Sequence, residues 1–98
     1  MPERSEEQHW KAYRWIVAGT QRMAVLKALR NIETTPTMIR QASTKHNERI
    51  DMSSASKILR RFVERGIAIC INEAEKTGRL YRLTELGEML KERLVSED

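Results

Sequence analysis

The sequence has one cysteine, four glycines and two prolines among 98 residues, and these shortages exclude several classes of protein. A single cysteine, Cys70, cannot form an intrachain disulfide framework and fits a reducing cytoplasm. The two histidines, His9 and His46, lie far apart, so we expect no metal site. No apolar run approaches the length of about 20 residues that a membrane-spanning helix needs. The N-terminal residues are polar and acidic, unlike a secretory signal. We therefore expect a cytoplasmic chain without a membrane segment.

Signatures of catalysis are also missing. The sequence has no G-x-x-x-x-G-K, H-E-x-x-H, C-x-x-C or G-x-S-x-G motif. Its neighbouring carboxylates, Glu6 with Glu7 and Glu73 with Glu75, are not placed in a cleft by any pattern. We expect neither an enzymatic activity nor a cofactor.

Charge is distributed unevenly along the chain. The net charge is +4, with 33% charged and 40% hydrophobic residues, which is typical of one small folded domain. Residues 20–83 hold thirteen basic and six acidic side chains, whereas the flanks hold five basic and eight acidic ones. This central excess of positive charge favours a nucleic-acid partner, or it belongs to solvated helix faces.

The first half of the chain has the spacing of two helices. A weak helical pattern covers about residues 5–17, and Gly19 ends it. Thr20 is the predicted N-cap of the next helix, which ends near Asn31.

Three further helices have clear start or stop signals. Thr35-Pro36 places a capping threonine before a proline at the first helical position, and this helix ends between residues 43 and 46. Ser53 is the predicted cap of the fourth helix, and Gly66 ends it. Thr84 is the predicted cap of the last helix.

Two short apolar segments between the fourth and fifth helices predict a hairpin. Residues 67–71 and 79–83 are rich in β-branched and large apolar side chains, and the polar stretch 72–78 between them ends in glycine. The predicted fold is mainly α with a small β-hairpin (α+β), in the order of a winged helix-turn-helix.

The predicted fourth helix has two chemically different faces. Its apolar residues recur at one buried face, namely Ala55, Ile58, Leu59 and Phe62. At 100° per residue, the opposite face carries Ser53, Ser54, Lys57, Arg60, Arg61 and Glu64. A helix of this width fits the DNA major groove, where the serines and Lys57 can reach base edges and the two arginines can reach phosphates.

Four segments carry a resemblance to a known group of proteins. They are residues 15–29, 35–39, 50–67 and 78–87. In order, they resemble the opening helix, the second helix start, the recognition helix with the first wing strand, and the second wing strand of small prokaryotic, especially archaeal, winged-helix transcriptional regulators. The broad similarity is to the arsenic-repressor-like and multiple-antibiotic-resistance-like families, over about residues 15–94.

The resemblance implies a homodimer that places two recognition helices in successive major grooves of double-stranded DNA. It implies recognition-helix contacts from Ser53, Ser54, Ser56, Lys57, Arg60 and Arg61. It implies wing contacts, to the backbone or the minor groove, from Lys76, Thr77 and Arg79. Residues 1–18 are then an N-terminal arm and candidate dimerisation element, and residues 19–98 the DNA-binding domain.

This sequence departs from those families in three places. The connection before the fourth helix is several residues longer than a tight turn and contains Lys45, His46 and Arg49, which either add phosphate contacts or alter the helix's approach. The wing mixes Glu73 and Glu75 with its basic residues, which disfavours deep insertion into the minor groove. The cysteine motif of the metal sensors is missing, so metal sensing is not implied.

Aromatic residues are concentrated in the N-terminal arm, where they either cover the domain's own core or form a dimer interface. The predicted interface consists of Trp10, Tyr13, Trp15, Met89, Leu90 and Leu94. Both interpretations hold together if the arm crosses to a second subunit.

Two other functions remain open from the sequence. Winged-helix domains also serve as protein-interaction modules of transcription or replication assemblies without touching DNA, and the mixed wing and aromatic arm keep this alternative. Binding of RNA is the third, although the hairpin offers no aromatic platform for stacking single-stranded bases.

Overall fold

Five helices and one antiparallel hairpin form the computed structural model, which describes residues 2–47, 49–75 and 78–97, with side chains from residue 7 onward. The elements are α1 (Pro2–Val17), α2 (Thr20–Ala28), α3 (Pro36–Ser43), α4 (Met52–Glu64), β1 (Ala68–Cys70), β2 (Tyr81–Leu83) and α5 (Glu85–Glu97). The predicted mainly helical α+β class is confirmed. The predicted wing residues Lys76 and Thr77 lie outside the described residues. No described helix is long and apolar enough to span a membrane.

Two of the predicted N-caps are wrong. Thr20 is already helical, and the cap of α2 is Gly19, which offers no side-chain bond. The cap of α4 is Asp51, whose carboxylate accepts the N–H of Ser54 at 2.7 Å. Asp51 lies in extended backbone, as a cap requires, whereas Ser53 lies one residue inside the helix. The caps predicted at Thr35 and Thr84 are confirmed by bonds from the N–H groups of residues 38 and 87.

Helix α2 ends earlier than predicted, at Ala28 rather than near Asn31. Leu29 has extended backbone, and the following segment turns toward the hairpin. Thr34 exchanges both backbone hydrogen bonds with Tyr81, each at 2.9 Å, and the carbonyl of Arg30 accepts the N–H of Leu83. The chain therefore leaves the helix because its backbone groups find partners along β2.

The hairpin is shorter than predicted but has the predicted sense. Ala68 pairs with Leu83 and Cys70 with Tyr81, and these four side chains are buried. Beyond this ladder the Asn72 side chain joins the two ends of the hairpin loop. Its amide oxygen accepts the N–H of residue 80 at 2.7 Å. Its amide nitrogen donates to the carbonyl of residue 78 at 3.0 Å.

One hydrophobic core joins all five helices and the hairpin. Its α4 members are Ala55, Leu59 and Phe62, each fully buried. Helix α1 contributes Ala12, Tyr13 and Ile16 to the same cluster. The N-terminal arm therefore packs on the domain of its own chain.

The junction of α4, β1 and α5 is built around two glycines. Gly66 has a φ of 74° and ends α4, as predicted, because the N–H of Ile67 donates to the carbonyl of Phe62 at 2.8 Å. Gly87 sits directly against β1, where an added Cβ would lie 2.1 Å from the carbonyl oxygen of Ile67. Thr84 connects the two glycines. Its hydroxyl donates to the carbonyl of Gly66 at 2.6 Å and accepts the N–H of Gly87 at 3.1 Å.

Candidate nucleic-acid interface

The exposed face of α4 carries most of the predicted contact residues. Ser53, Ser56, Lys57, Arg60 and Arg61 are all exposed, while Ser54 is half-buried at the helix start. The opposite side of the helix is fixed in the core. Because the buried residues of α4 fix the helix in the core, its exposed face has a fixed orientation relative to the rest of the domain.

A groove of about 320 Å³ runs between α4 and the hairpin. Ser56 and Arg60 line one side, and Arg79 and Tyr81 line the other. The guanidinium of Arg79 donates from Nε to the carbonyl of Glu75 at 2.8 Å. A side-chain hydrogen bond with Tyr81 raises the pKa of Arg79 above its usual range. The structure thus brings the predicted residues Arg60 and Arg79 to one groove.

A second groove of about 320 Å³ lies on the other side of α4, against α1 and α2. Its lining is Trp15, Arg22, Lys57, Ile58 and Arg61. Arg22 was not predicted to take part in a site, and it lies over the same Trp15 ring as Arg65. Sequence spacing could not find Arg22, because Trp15 and Arg22 belong to different helices and meet α4 only after folding.

In the described part of the chain, most of the cations on and beside α4 lack a carboxylate at salt-bridge distance. Arg61 lies 3.9 Å from Glu64, but both side chains are largely exposed, so the pair is weak. Among the described residues, no carboxylate lies within 4.0 Å of the charged groups of Arg22, Lys57, Arg60 or Arg65. This surface therefore holds positive charge that is available to an external anion.

The predicted dimer residues divide into two groups. Tyr13, Leu90 and Leu94 are buried in the chain's own core, and Trp15 is half-buried beside α4. Trp10 and Met89 are each 50% exposed. Only these last two remain available to a second copy of the chain in this conformation.

Helices α1 and α5 are joined by polar as well as apolar contacts. The Tyr13 hydroxyl donates to the carboxylate of Glu97 at 2.5 Å, which lowers the pKa of that carboxyl group. The guanidinium of Arg93 lies 3.9 Å from the centre of the Trp10 ring and bonds Glu97 at 3.3 Å. The exposed Trp10 is therefore held in position by α5.

The long connection between α3 and α4 is anchored at two points. The amide of Asn47 donates to the Thr20 hydroxyl at 3.4 Å, and the guanidinium of Arg40 donates to the carbonyl of Ile50 at 3.2 Å. Lys45, His46 and Arg49 in this connection are exposed. The extra residues thus leave basic side chains in solvent next to the start of α2.

Cys70 is a further candidate for a reactive group. Cys70 is buried in β1, with its sulfur 3.8 Å from the amide oxygen of Asn72. Among residues 2–47, 49–75 and 78–97, no three His, Cys, Asp or Glu side chains are grouped so that they could hold a metal ion.

Comparison of the chain with protein-family models, with curated proteins and with solved structures found no match.

Proposed function

We propose that this protein is a winged-helix transcriptional regulator that binds double-stranded DNA as a homodimer, with α4 as its recognition helix. The observation that carries the proposal is the surface of α4. One side of the helix is fixed in the core, and the other presents Lys57 and Arg60 with no carboxylate within 4.0 Å among the described residues.

The arrangement of the elements supports the winged-helix interpretation. Three helices, α2 to α4, precede the β1–β2 hairpin. The bridge from Thr34 to Tyr81 adds a minimal third strand beside β2, before the second of these helices. The hairpin is consequently attached to the helices at both ends, so the wing and α4 keep a fixed relation.

The mechanism follows from where each side chain lies. The DNA major groove is about 12 Å wide and admits one α-helix. Ser53, Ser56 and Lys57, on the exposed face, would reach base edges, while Arg60 and Arg61 would bind phosphates. Arg79, held at the hairpin by the Glu75 carbonyl, would bind the backbone beside the groove. Occupying a promoter in this way excludes or recruits the polymerase.

The dimer would form through the surface shared by α1 and α5. Trp10 and Met89 are large, apolar and half-exposed, and aromatic and methionine side chains are enriched at protein interfaces. Arg93 already holds the Trp10 ring, which lowers the entropy lost when a second copy binds.

The test compares two double variants by fluorescence anisotropy with a labelled duplex of about 30 base pairs, at several salt concentrations. Lys57→Ala/Arg60→Ala removes two charges from α4. Lys11→Ala/Arg82→Ala removes two exposed charges from α1 and the hairpin and serves as the matched control. We expect the α4 variant to weaken binding about 10- to 100-fold. The log–log salt slope should fall by about 1, because Arg60 is the one phosphate contact that this variant loses and each such contact contributes about 0.9. Equal losses in both variants, or none in either, would refute a specific role for α4.

A protein-interaction module is the second candidate. The exposed Trp10 and Met89 favour it, as does the acidic pair Glu73 and Glu75 beside Arg79. In that case the wild-type protein fails to bind any duplex at low salt, and partner binding depends on Trp10 and Met89 rather than on α4.

A further inference from the structure

The groove between α4 and the α1–α2 corner contains residues that have no part in the function proposed above, although its Lys57 and Arg61 do. We name it the Trp15 cradle and define it by Trp15, Arg22, Lys57, Arg61 and Arg65. The first three and Arg61 line a cavity of about 320 Å³, and Arg65 packs on the tryptophan ring. None of the described residues lining this cavity is acidic.

The cradle is held in place by the core. The Trp15 ring meets Phe62 edge-to-face at 5.8 Å, and Phe62 is fully buried. Arg22 donates from Nη1 to the Trp15 carbonyl at 2.8 Å, and its guanidinium carbon lies 4.4 Å from the ring centre. The guanidinium carbon of Arg65 lies 4.1 Å from the same centre. Two arginines are thus fixed by one aromatic ring, so little side-chain entropy is lost when they bind a ligand.

The charge of the cradle is not balanced within the chain. Arg22 and Arg65 both lie over the Trp15 ring, and Lys57 and Arg61 line the groove beside it, so four positive side chains surround one site. Among the described residues, only Glu64 lies within 4.0 Å of a charged group of the cradle, 3.9 Å from Arg61, while Asp51 interacts with Lys57 at longer range. Guanidinium groups match a phosphate because their N–H donors point at two oxygens at once. The ligand chemistry that fits is therefore a phosphate group.

The position of the cradle relative to α4 indicates which strand of the DNA backbone would supply the phosphate. A helix in the major groove has one sugar–phosphate backbone on each side. Arg60 and Arg79 lie on the hairpin side of α4, and the cradle lies on the opposite side. When α4 enters the groove, the two basic grooves face the two different backbones.

We propose that the Trp15 cradle binds a single phosphodiester group of the DNA backbone, on the strand opposite the one that the hairpin side contacts. This inference rests on the proposed function, because it requires α4 to lie in the major groove. The cradle fixes how far α4 can rotate in the groove, and it contributes affinity without reading bases.

The duplex affinities are measured in the wild-type background, because Trp10 belongs to the proposed dimer surface. A Trp10→Phe protein serves only for the fluorescence measurements, which then report on Trp15 alone. In the wild-type background Arg22→Gln/Arg65→Gln is compared with Arg14→Gln/Arg82→Gln, which removes the same charge at exposed positions outside the cradle. We expect the cradle variant to lose about tenfold in duplex affinity, equally for all sequences, with a salt slope lower by about 1. The control variant keeps its affinity within about twofold. A cradle variant with the affinity of the control overturns the inference.

Phosphate ethylation interference on a bound duplex locates the contact. We expect one interfering phosphate on the strand opposite the hairpin side to disappear in the cradle variant while all the others remain. An unchanged interference pattern overturns the inference. Duplex DNA is expected to change the Trp15 fluorescence, whereas inorganic phosphate alone is not. An equal response to inorganic phosphate would mean that the cradle is a site for free anions and not for DNA.

Two controls separate the possible failures. If circular dichroism shows that the glutamine variant is unfolded, Arg22→Lys/Arg65→Lys replaces it, keeping the charge but losing the planar fork. This variant is expected to keep the salt slope and lose about threefold in affinity, and wild-type affinity would overturn the inference. If Lys57→Ala/Arg60→Ala weakens binding and the substitutions at Arg22 and Arg65 do not, only the inference fails. If neither weakens it, the proposed function fails.

Discussion

Helices α4 and α5 each have thirteen residues and each bury three of them against the same core, yet they present different surfaces to solvent. The exposed side of α4 consists mainly of serine, lysine and arginine, with Met52 near its start and Glu64 at its end. The exposed side of α5 contains Glu85, Glu88, Glu92 and Glu97 together with Met89 and Val95. Their buried residues serve the same purpose, so the difference in role lies entirely in the residues that face outward.

The basic residues of the two helices also differ in how they are used. On α5, Lys91 donates to the carbonyl of Leu29 at 2.5 Å, and partial burial lowers the pKa of this lysine. Arg93 is occupied by Glu97 and the Trp10 ring. On α4, Lys57 and Arg60 have no carboxylate within 4.0 Å among the described residues, and Lys57 interacts with Asp51 only at longer range. The capacity to bind an anion therefore depends less on the total number of basic residues than on the number of basic residues that have no acidic or carbonyl partner in the fold.

The largest expected effect on stability comes from a substitution that displaces α5, Gly87→Ala. The Cβ of Gly87→Ala would lie 2.1 Å from the Ile67 carbonyl oxygen and 2.8 Å from the Leu83 side chain, so α5 must move off the hairpin. We expect the free energy of unfolding to fall by about 3 kcal/mol, measured by urea denaturation.

Gly66→Ala is the matched control for this substitution. Nothing lies within 4 Å of its added Cβ, and only the positive φ of 74° opposes it. We expect a loss of about 1 kcal/mol, in line with the cost of the left-handed conformation. Equal losses for the two glycines would show that the close seat of α5 on β1 has no special energetic weight.

The next largest effect concerns dimerisation through the exposed side of α5. Met89→Glu places a charge at the centre of the proposed dimer surface, whereas Val95→Glu places the same charge at another exposed position of α5. Because the interface would have to desolvate the new carboxylate, we expect Met89→Glu to raise the dimer dissociation constant at least about tenfold, which is about 1.4 kcal/mol. Sedimentation equilibrium measures both variants, and Val95→Glu should match the wild type. If Met89→Glu dimerises normally, the subunits associate through another surface.

The smallest effect concerns the start of α4. The N–H of Ser54 donates to the Asp51 carboxylate and lowers the pKa of that group below its usual 3.8. Since the folded-state pKa is the lower one, the charged cap stabilises the fold above about pH 3.8, and this contribution is lost as the pH falls through the folded-state value. Asp51→Asn also caps the helix but does not titrate. We expect the Tm of the wild type to fall relative to Asp51→Asn as the pH drops below 3.8.

Ser53→Ala provides the control for the cap, because Ser53 lies inside α4 and makes no capping bond. Its Tm should follow that of the wild type at every pH. A pH-independent difference between Asp51→Asn and the wild type would show that the Asp51 charge does not stabilise α4.

Local signals predicted the elements well where one residue dominates the local physics. Pro36 after Thr35, Gly66 at the end of α4 and Thr84 before α5 all have the predicted roles, because the backbone geometry at these points depends on neighbours in sequence. The predictions failed where two candidates competed, as with Asp51 and Ser53, or where a distant strand took backbone groups from a helix, as after Ala28.

The division between sequence and tertiary structure follows from the range of the forces. The sequence by itself determined the helices, the hairpin and the basic face of α4, since hydrophobic periodicity and capping act over a few residues. Only the tertiary structure decided that Tyr13 and Leu90 serve the chain's own core, that Trp10 stays exposed, and that Arg22 and Arg65 meet on Trp15. These contacts join residues far apart in the chain, and the packing of the helices against one another brings them together.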